Sequence, residues 1–185
     1  MTLSHAGAYN IKNRMDSLPT LYSDIWLFGI DSTKDDAAEL VYNRCFGGEG
    51  DDRPYSLCMS KTGTMWLVGK TNAYSGNGNV PLKHDEMIED KNSDDAWVFE
   101  INPKENDLSK QITYNKCFGC VNQEESNGIV ISPDYNLLWT IGTSNSNYDE
   151  NKYKAGTSDI PQSKKQSTTL NRDFWLLSIN INTGK

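Results

Sequence analysis

"YNRCFGGEGDD", Tyr42 to Asp52, returns as "YNKCFGCVNQE", Tyr114 to Glu124. Cys45 and Cys117 mark the step between the two copies. Other landmarks move with them. "SDIWLFGID" begins at Ser23, "DDAWVFEIN" at Asp94 and "RDFWLLSIN" at Arg172. Their Asp-x-Trp cores are Asp24/Trp26, Asp95/Trp97 and Asp173/Trp175, and the second step is slightly longer than the first. "MWLVGKTN" from Met65 and "LWTIGTSN" from Leu138 set Gly69 and Gly142 one step apart, and "HAGAYN" near the start places Gly7 a somewhat shorter step before Gly69. Landmarks that keep both order and spacing define an internal repeat of about 70 residues.

Each unit reads as four short strands. They are expected near Asp24–Asp31, Leu40–Phe46, Tyr55–Ser60 and Met65–Thr71, and again near Asp95–Asn102, Ile112–Phe118, Gly128–Ser132 and Leu138–Thr143. "DSTKDD", "GGEGDD", "KTG", "NPKEND" and "PDYN" supply the turns between them. No stretch carries a sustained helical period with caps. In "DIWLFGI", Trp26, Phe28 and Ile30 point one way while Ile25 and Leu27 point the other, and "AWVFEI" and "FWLLSI" are also apolar on both faces. Strands apolar on both faces are covered on both sides. Four-stranded sheets stacked face to face meet that condition, as in the blades of a β-propeller.

The expected fold is therefore all-β, a β-propeller portion of about two and a half four-stranded blades. It forms a single segment over residues 1–185, with a partial blade at 1–46, a full blade at 53–118 and a partial blade at 126–185. Tyr55–Thr71 gives the two inner strands of the full blade and Asp95–Phe118 the outer pair. The chain is expected to begin inside the second strand of one blade, and "NINTGK" to lead toward an outermost strand. A closed ring needs at least about four blades, hence about 280 residues. The chain is thus expected to be a segment of a longer ring, or a protomer whose ring other chains complete.

The formal net charge is −7 over 185 residues. That argues against nucleic acid or an anionic membrane as partner, since either favours a basic face. No run approaches the roughly 18 apolar residues that span a bilayer. "MTLSHAGAYN" has neither the basic start nor the apolar stretch of a signal peptide. Five Trp and nine Tyr supply large side chains for a core.

The series Asp-x-Trp, Phe-Gly-Gly and Gly-x-Thr-Asn resembles the repeats of secreted β-propellers in surface proteins of Bacteroidetes-type bacteria, over nearly the whole chain. The resemblance implies an extracellular or cell-surface location and a place beside other extracellular modules. Cys120, where a second Gly is expected, and two long insertions depart from the pattern. "SPDYNLLW", Ser132 to Trp139, is similar to the Ser-x-Asp-x-Gly-x-x-Trp box of sialidase-like propellers, with Asn136 in place of Gly. That box marks a hairpin and is not catalytic.

Insertions follow each Gly-x-Thr/Ser-Asn strand, from Asn10 to Asp24, from Asn72 to Asp95 and from Asn145 to Asp173, each longer than the one before. Falling at one blade position, they should emerge on one rim, and insertions on one face of a repeat protein often form its binding face. Tyr74, Tyr148 and Tyr153 are the candidate ligand-binding residues, able to stack on a sugar ring or pack on a protein. Plain surface loops are the competing reading. "DSTKDD" and "NSNYDEN" gather oxygen ligands, yet neither matches the Asp-x-Asp-x-Asp-Gly calcium loop, and turn chemistry accounts for both. No cofactor is expected, calcium being the one cation these turns would suit.

No catalytic set stands out. His5 and His84 are isolated, the four arginines are scattered, and no pair of carboxylates is singled out for glycosidase chemistry. "CFGC" is a lone C-x-x-C, a poor zinc site. Cys45, Cys58, Cys117 and Cys120 read as small buried thiols, with Cys117–Cys120 or Cys45–Cys58 disulfides as alternatives outside the cytosol. Trp26, Trp97 and Trp175 read as packing between blades. The expected function is a non-enzymatic extracellular scaffold or interaction module that binds protein or glycan through a loop-rich rim. One alternative is part of a carbohydrate-active propeller whose catalytic residues lie largely outside this segment. Another is a structural component of an extracellular filament or surface assembly.

Overall fold

The structure, a computed structural model, describes residues 22–33, 39–73, 78–81, 93–120, 122–146 and 172–183. Their strands pair into three antiparallel sheets. The first sheet joins β1 (Ile25–Asp31) to β2 (Glu39–Phe46). The middle sheet holds β3 (Asp52–Met59), β4 (Met65–Thr71), β5 (Asp95–Ile101) and β6 (Ile112–Phe118), in that order. The last sheet holds β7 (Glu124–Ile131), β8 (Leu137–Ser144) and β9 (Asp173–Asn180). One helical turn, α1 (Leu108–Gln111), interrupts the β5–β6 connection, capped by Asp107, which accepts from Ser109 N at 3.1 Å.

The middle sheet holds the four strands expected between residues 53 and 118, in sequence order. Most strand ends lie within one residue of the expected bounds; two starts move further, β3 to Asp52 instead of Tyr55 and β7 to Glu124 instead of Gly128. Both gain their extra residues because acidic and polar side chains at the strand start are held by hydrogen bonds described below. The strand expected around Gly7 lies outside the described residues.

The two apolar faces of the middle sheet have different neighbours. Leu67, Trp97, Phe99 and Ile101 pack against Ile25, Leu27 and Phe46 of the first sheet. Trp66, Val68, Ala96 and Val98 pack against Leu138, Ile179, Trp175 and Leu177 of the last. Trp97, Phe99, Ala96 and Val98 are all 0% exposed, so β5 is sealed on both sides. Burying one such aromatic or branched side chain contributes roughly 1.5–3 kcal/mol. Alternation along a strand, period two, is what lets one segment serve both interfaces.

The repeat phrases acquire physical reasons here. Trp26 Nε1 donates to Asn43 Oδ1 at 2.9 Å, and Trp97 Nε1 donates to Asn115 Oδ1 at 2.7 Å. Cys45 lies opposite Trp26 in the ladder, and Cys117 opposite Trp97. Tyr-Asn-x-Cys-Phe is thus the outer strand that receives the tryptophan. Gly69 and Gly142 sit against bulges in the neighbouring strand. A Cβ at Gly69 would lie 1.9 Å from the Arg53 carbonyl oxygen, and one at Gly142 would lie 2.0 Å from that of Glu125. Pro54 adjoins the first bulge on an edge strand, where a missing N–H is tolerated.

Register breaks follow a pattern. The ladders β1–β2, β3–β4, β5–β6 and β7–β8 each carry one. The ladders β4–β5 and β8–β9 carry none.

Candidate functional site

All inter-sheet crossings lie at one end of the sheets. β2 ends there at Phe46 and β3 starts at Asp52; β6 ends at Phe118 and β7 starts at Glu124. The two long insertions, between Thr71 and Asp95 and between Ser144 and Asp173, leave from the same end. The opposite end carries hairpin turns and α1. In the β7–β8 turn, Ser132 Oγ donates to Asp134 Oδ1 and accepts from Leu137 N at 3.0 Å. The corresponding β3–β4 turn closes with Thr64 N donating to Ser60 Oγ at 3.1 Å.

The loop-bearing rim is held by carboxylates used twice. Gly48 N donates to Asp52 Oδ2 at 2.8 Å, and Cys120 N donates to Glu124 Oε2 at the same distance. Asp52 N donates to Ser23 O and Glu124 N to Asp94 O, each at 2.7 Å, which tie each crossing to the sheet it has left. Asn72 and Asn145 bridge the same crossings: Asp51 N donates to Asn72 Oδ1 at 2.6 Å and Gln123 N to Asn145 Oδ1 at 2.8 Å. The asparagine of Gly-x-Thr/Ser-Asn is therefore a brace.

Glu124 is buried, and Ser144 and Ser146 also donate to its Oε1. Burial pushes its carboxyl up, and the Asp95 charge adds to that, against the hydrogen bonds of Ser146, Ser144 and Cys120. Glu125, its half-buried neighbour in sequence, behaves oppositely. Burial works against its charge, but hydrogen bonds from Tyr55 and Thr143 and the Arg172 guanidinium hold its carboxyl below the usual range. Tyr55 Oη donates to Glu125 Oε2 at 3.0 Å, and Arg172 Nη1 to Glu125 Oε1 at 2.7 Å. Burial first, and then Glu125, push the Tyr55 phenol up to about 12. Lys70 Nζ donates to Asp94 Oδ2 at 2.5 Å beside them.

Tyr74, Tyr148 and Tyr153 lie outside the described residues, as do His5 and His84. Between its two ends, the first long insertion is described at residues 78–81. These residues dock on the rim: Asn79 N donates to Gly47 O at 2.8 Å, Asn115 Nδ2 donates to Asn79 O at 2.7 Å, and Val80 is buried in the core between the first two sheets. Gly78 needs its φ of 59° and its lack of a Cβ, which would meet the Gly47 oxygen at 2.1 Å. Asn115 thus serves both the repeat tryptophan and the loop.

The oxygen-rich turn at Asp31 is turn chemistry in its described part, with Thr33 N and Oγ1 both donating to Asp31 Oδ1. Asn145 and Ser146, which begin "NSNYDEN", are committed to the crossing. Among the described residues no group of His, Cys, Asp and Glu is placed to hold a metal, and no helix is long and apolar enough to cross a membrane. The four cysteines are thiols, and burial raises that of Cys58 to about 11.

Sequence reading missed Asp52 and Glu124, although the two copies of the repeated phrase end on these residues. It also missed the Tyr55–Glu125–Arg172 cluster, because its members come from two sheets. Compared with known protein families, curated proteins and solved structures, the chain matches none.

Proposed function

We propose that the chain is a portion of a β-propeller, about two and a half blades, acting as a non-enzymatic extracellular interaction module. Its loop-bearing rim binds protein or glycan. The observation that carries this reading is the one-sided layout: both long insertions leave the sheets at the end where braced crossings hold the chain still. The extracellular setting rests on the resemblance of the repeat.

The propeller portion draws support from the faces at the two ends of the stack. Trp66, Val68, Ala96 and Val98 are sealed by the next sheet, whereas their counterparts Trp139, Ile141, Phe174 and Leu176 are 36%, 47%, 81% and 63% exposed. Phe28 and Ile30, counterparts of the sealed Phe99 and Ile101, are 45% and 49% exposed. Open faces built like sealed ones call for further blades, from a longer parent chain or from other chains.

The test compares the chain with a variant in which Tyr74, Tyr148 and Tyr153 are replaced by Ala. A glycan array and a pull-down from extracellular fractions read binding, and circular dichroism reads the fold. Binding lost in the variant with the fold intact is the expected result. Binding unchanged in the variant, or glycoside turnover by the parent chain, overturns the proposal.

A further inference from the structure

Three tryptophans occupy one repeat position: Trp26, Trp97 and Trp175. Two of them donate their indole N–H to an asparagine on the outer neighbouring strand, Asn43 in β2 and Asn115 in β6. Trp175 stands on β9, the edge of its sheet, with no outer strand beside it among the described residues. Its Nε1 is buried and has no hydrogen-bond partner among the described residues. A buried donor without an acceptor is costly, by more than a formed hydrogen bond gains. Among the described residues no strand pairs with the outer side of β9, and such an edge accepts an added strand.

We infer that the β9 edge is a binding site for an extended segment with the repeat's own Tyr-Asn-x-Cys-Phe chemistry. The middle sheet gives the register. There Cys117 lies opposite Trp97 and Asn115 opposite Phe99. Trp175 and Leu177 are the corresponding residues of β9, since both Trp97 and Trp175 pair with the repeat glycine of the preceding strand. The incoming strand runs antiparallel to β9, with a small residue opposite Trp175 and its asparagine opposite Leu177. The asparagine oxygen accepts the Trp175 N–H. Trp175 now leans over β8: a Cβ at Gly142 would lie 2.8 Å from its ring carbons. Its indole turns toward the new strand on binding. The inference rests on the blade reading of the last sheet, and does not involve the rim.

The probe is a peptide copy of residues 112–119, ITYNKCFG, and the same peptide carrying Asn115→Ala, each titrated into the labelled chain under reducing conditions. The readout is the Trp175 indole N–H resonance, assigned by its loss in Trp175→Phe. The parent peptide is expected to bind with a downfield shift of that resonance, and the Asn115→Ala peptide to bind roughly fivefold to tenfold more weakly. In the Trp175→Phe chain the two peptides should bind equally, while both still add to the edge. Equal binding of the two peptides to the parent chain overturns the inference and leaves the blade reading standing. No binding of either peptide overturns both.

Discussion

A single buried carboxyl gives the most direct handle on the rim. Glu124 accepts from Cys120 N, Ser144 and Ser146, so Glu124→Ala leaves three donors to find new partners and is expected to cost about 2–4 kcal/mol in urea unfolding. The pH response has a definite sign. The folded carboxyl lies above its ordinary value of 4.5, so its contribution is fully present below the unfolded pKa and is lost as pH rises through the raised one. Glu124→Gln cannot ionise. Between about pH 4 and about pH 8 its stability relative to the parent should therefore improve, and parallel unfolding curves at the two pH values measure this. The asparagines offer a second comparison. Asn115→Ala removes the bond to the sealed Trp97 and the tie to Asn79, so it is expected to cost about 2–3 kcal/mol in the same unfolding measurement. Asn43→Ala unbinds the part-exposed Trp26 and should cost about 1 kcal/mol. Sequence spacing named these asparagines as part of a repeated phrase. It did not disclose their task, because an indole N–H and a side-chain oxygen on the next strand meet only after the strands pair.

Strands were legible where the repeat brackets them between clear turn signals: Met65–Thr71 and Ile112–Phe118 have the bounds that the sequence predicts. They were less legible where polar residues open a strand. "DRPY" and "EESN" look like loop, yet they pair with the ends of β4 and β8 because the buried carboxylates and the crossing bonds anchor them. The bulged glycines can be tested at this scale. Gly69→Ala and Gly142→Ala each drive a methyl into a carbonyl oxygen, and each is expected to lower stability by about 2–3 kcal/mol, read from the urea midpoint. The hairpin turns supply the reverse case. Gly63 takes a φ of 86° in one turn and Tyr135 a φ of 58° in the equivalent turn, and the tyrosine side chain is exposed. Tyr135→Gly should raise the melting temperature, by an amount corresponding to about 0.5–1 kcal/mol.

Across the whole molecule, the repeat made the stacking of sheets legible, and two-sided apolar strands made it necessary. Which faces stay open was not legible, since Val98 and Leu176 look alike as letters. The structure separates them, at 0% and 63% exposed. Val98→Ala is expected to cost about 2–3 kcal/mol, and Leu176→Ala less than about 0.5 kcal/mol, by urea unfolding of the chain alone. The candidate binding tyrosines rest on aromatic type and loop position, with no repeat landmark among them. The pattern of register breaks bears on how the chain reaches this state. Every bulged ladder joins strands close in sequence, while the two unbroken ladders join strands separated by the long insertions. A long loop closes at an entropic penalty that rises only slowly, about 0.6 kcal/mol per doubling of length, and it cannot dictate register. The hairpins β3–β4, β5–β6 and β7–β8 are therefore expected to form first, and β4–β5 and β8–β9 to pair afterwards along seams with no irregularity to misalign. Shortening either insertion should speed folding by bringing the seams together sooner, while changing the final stability little.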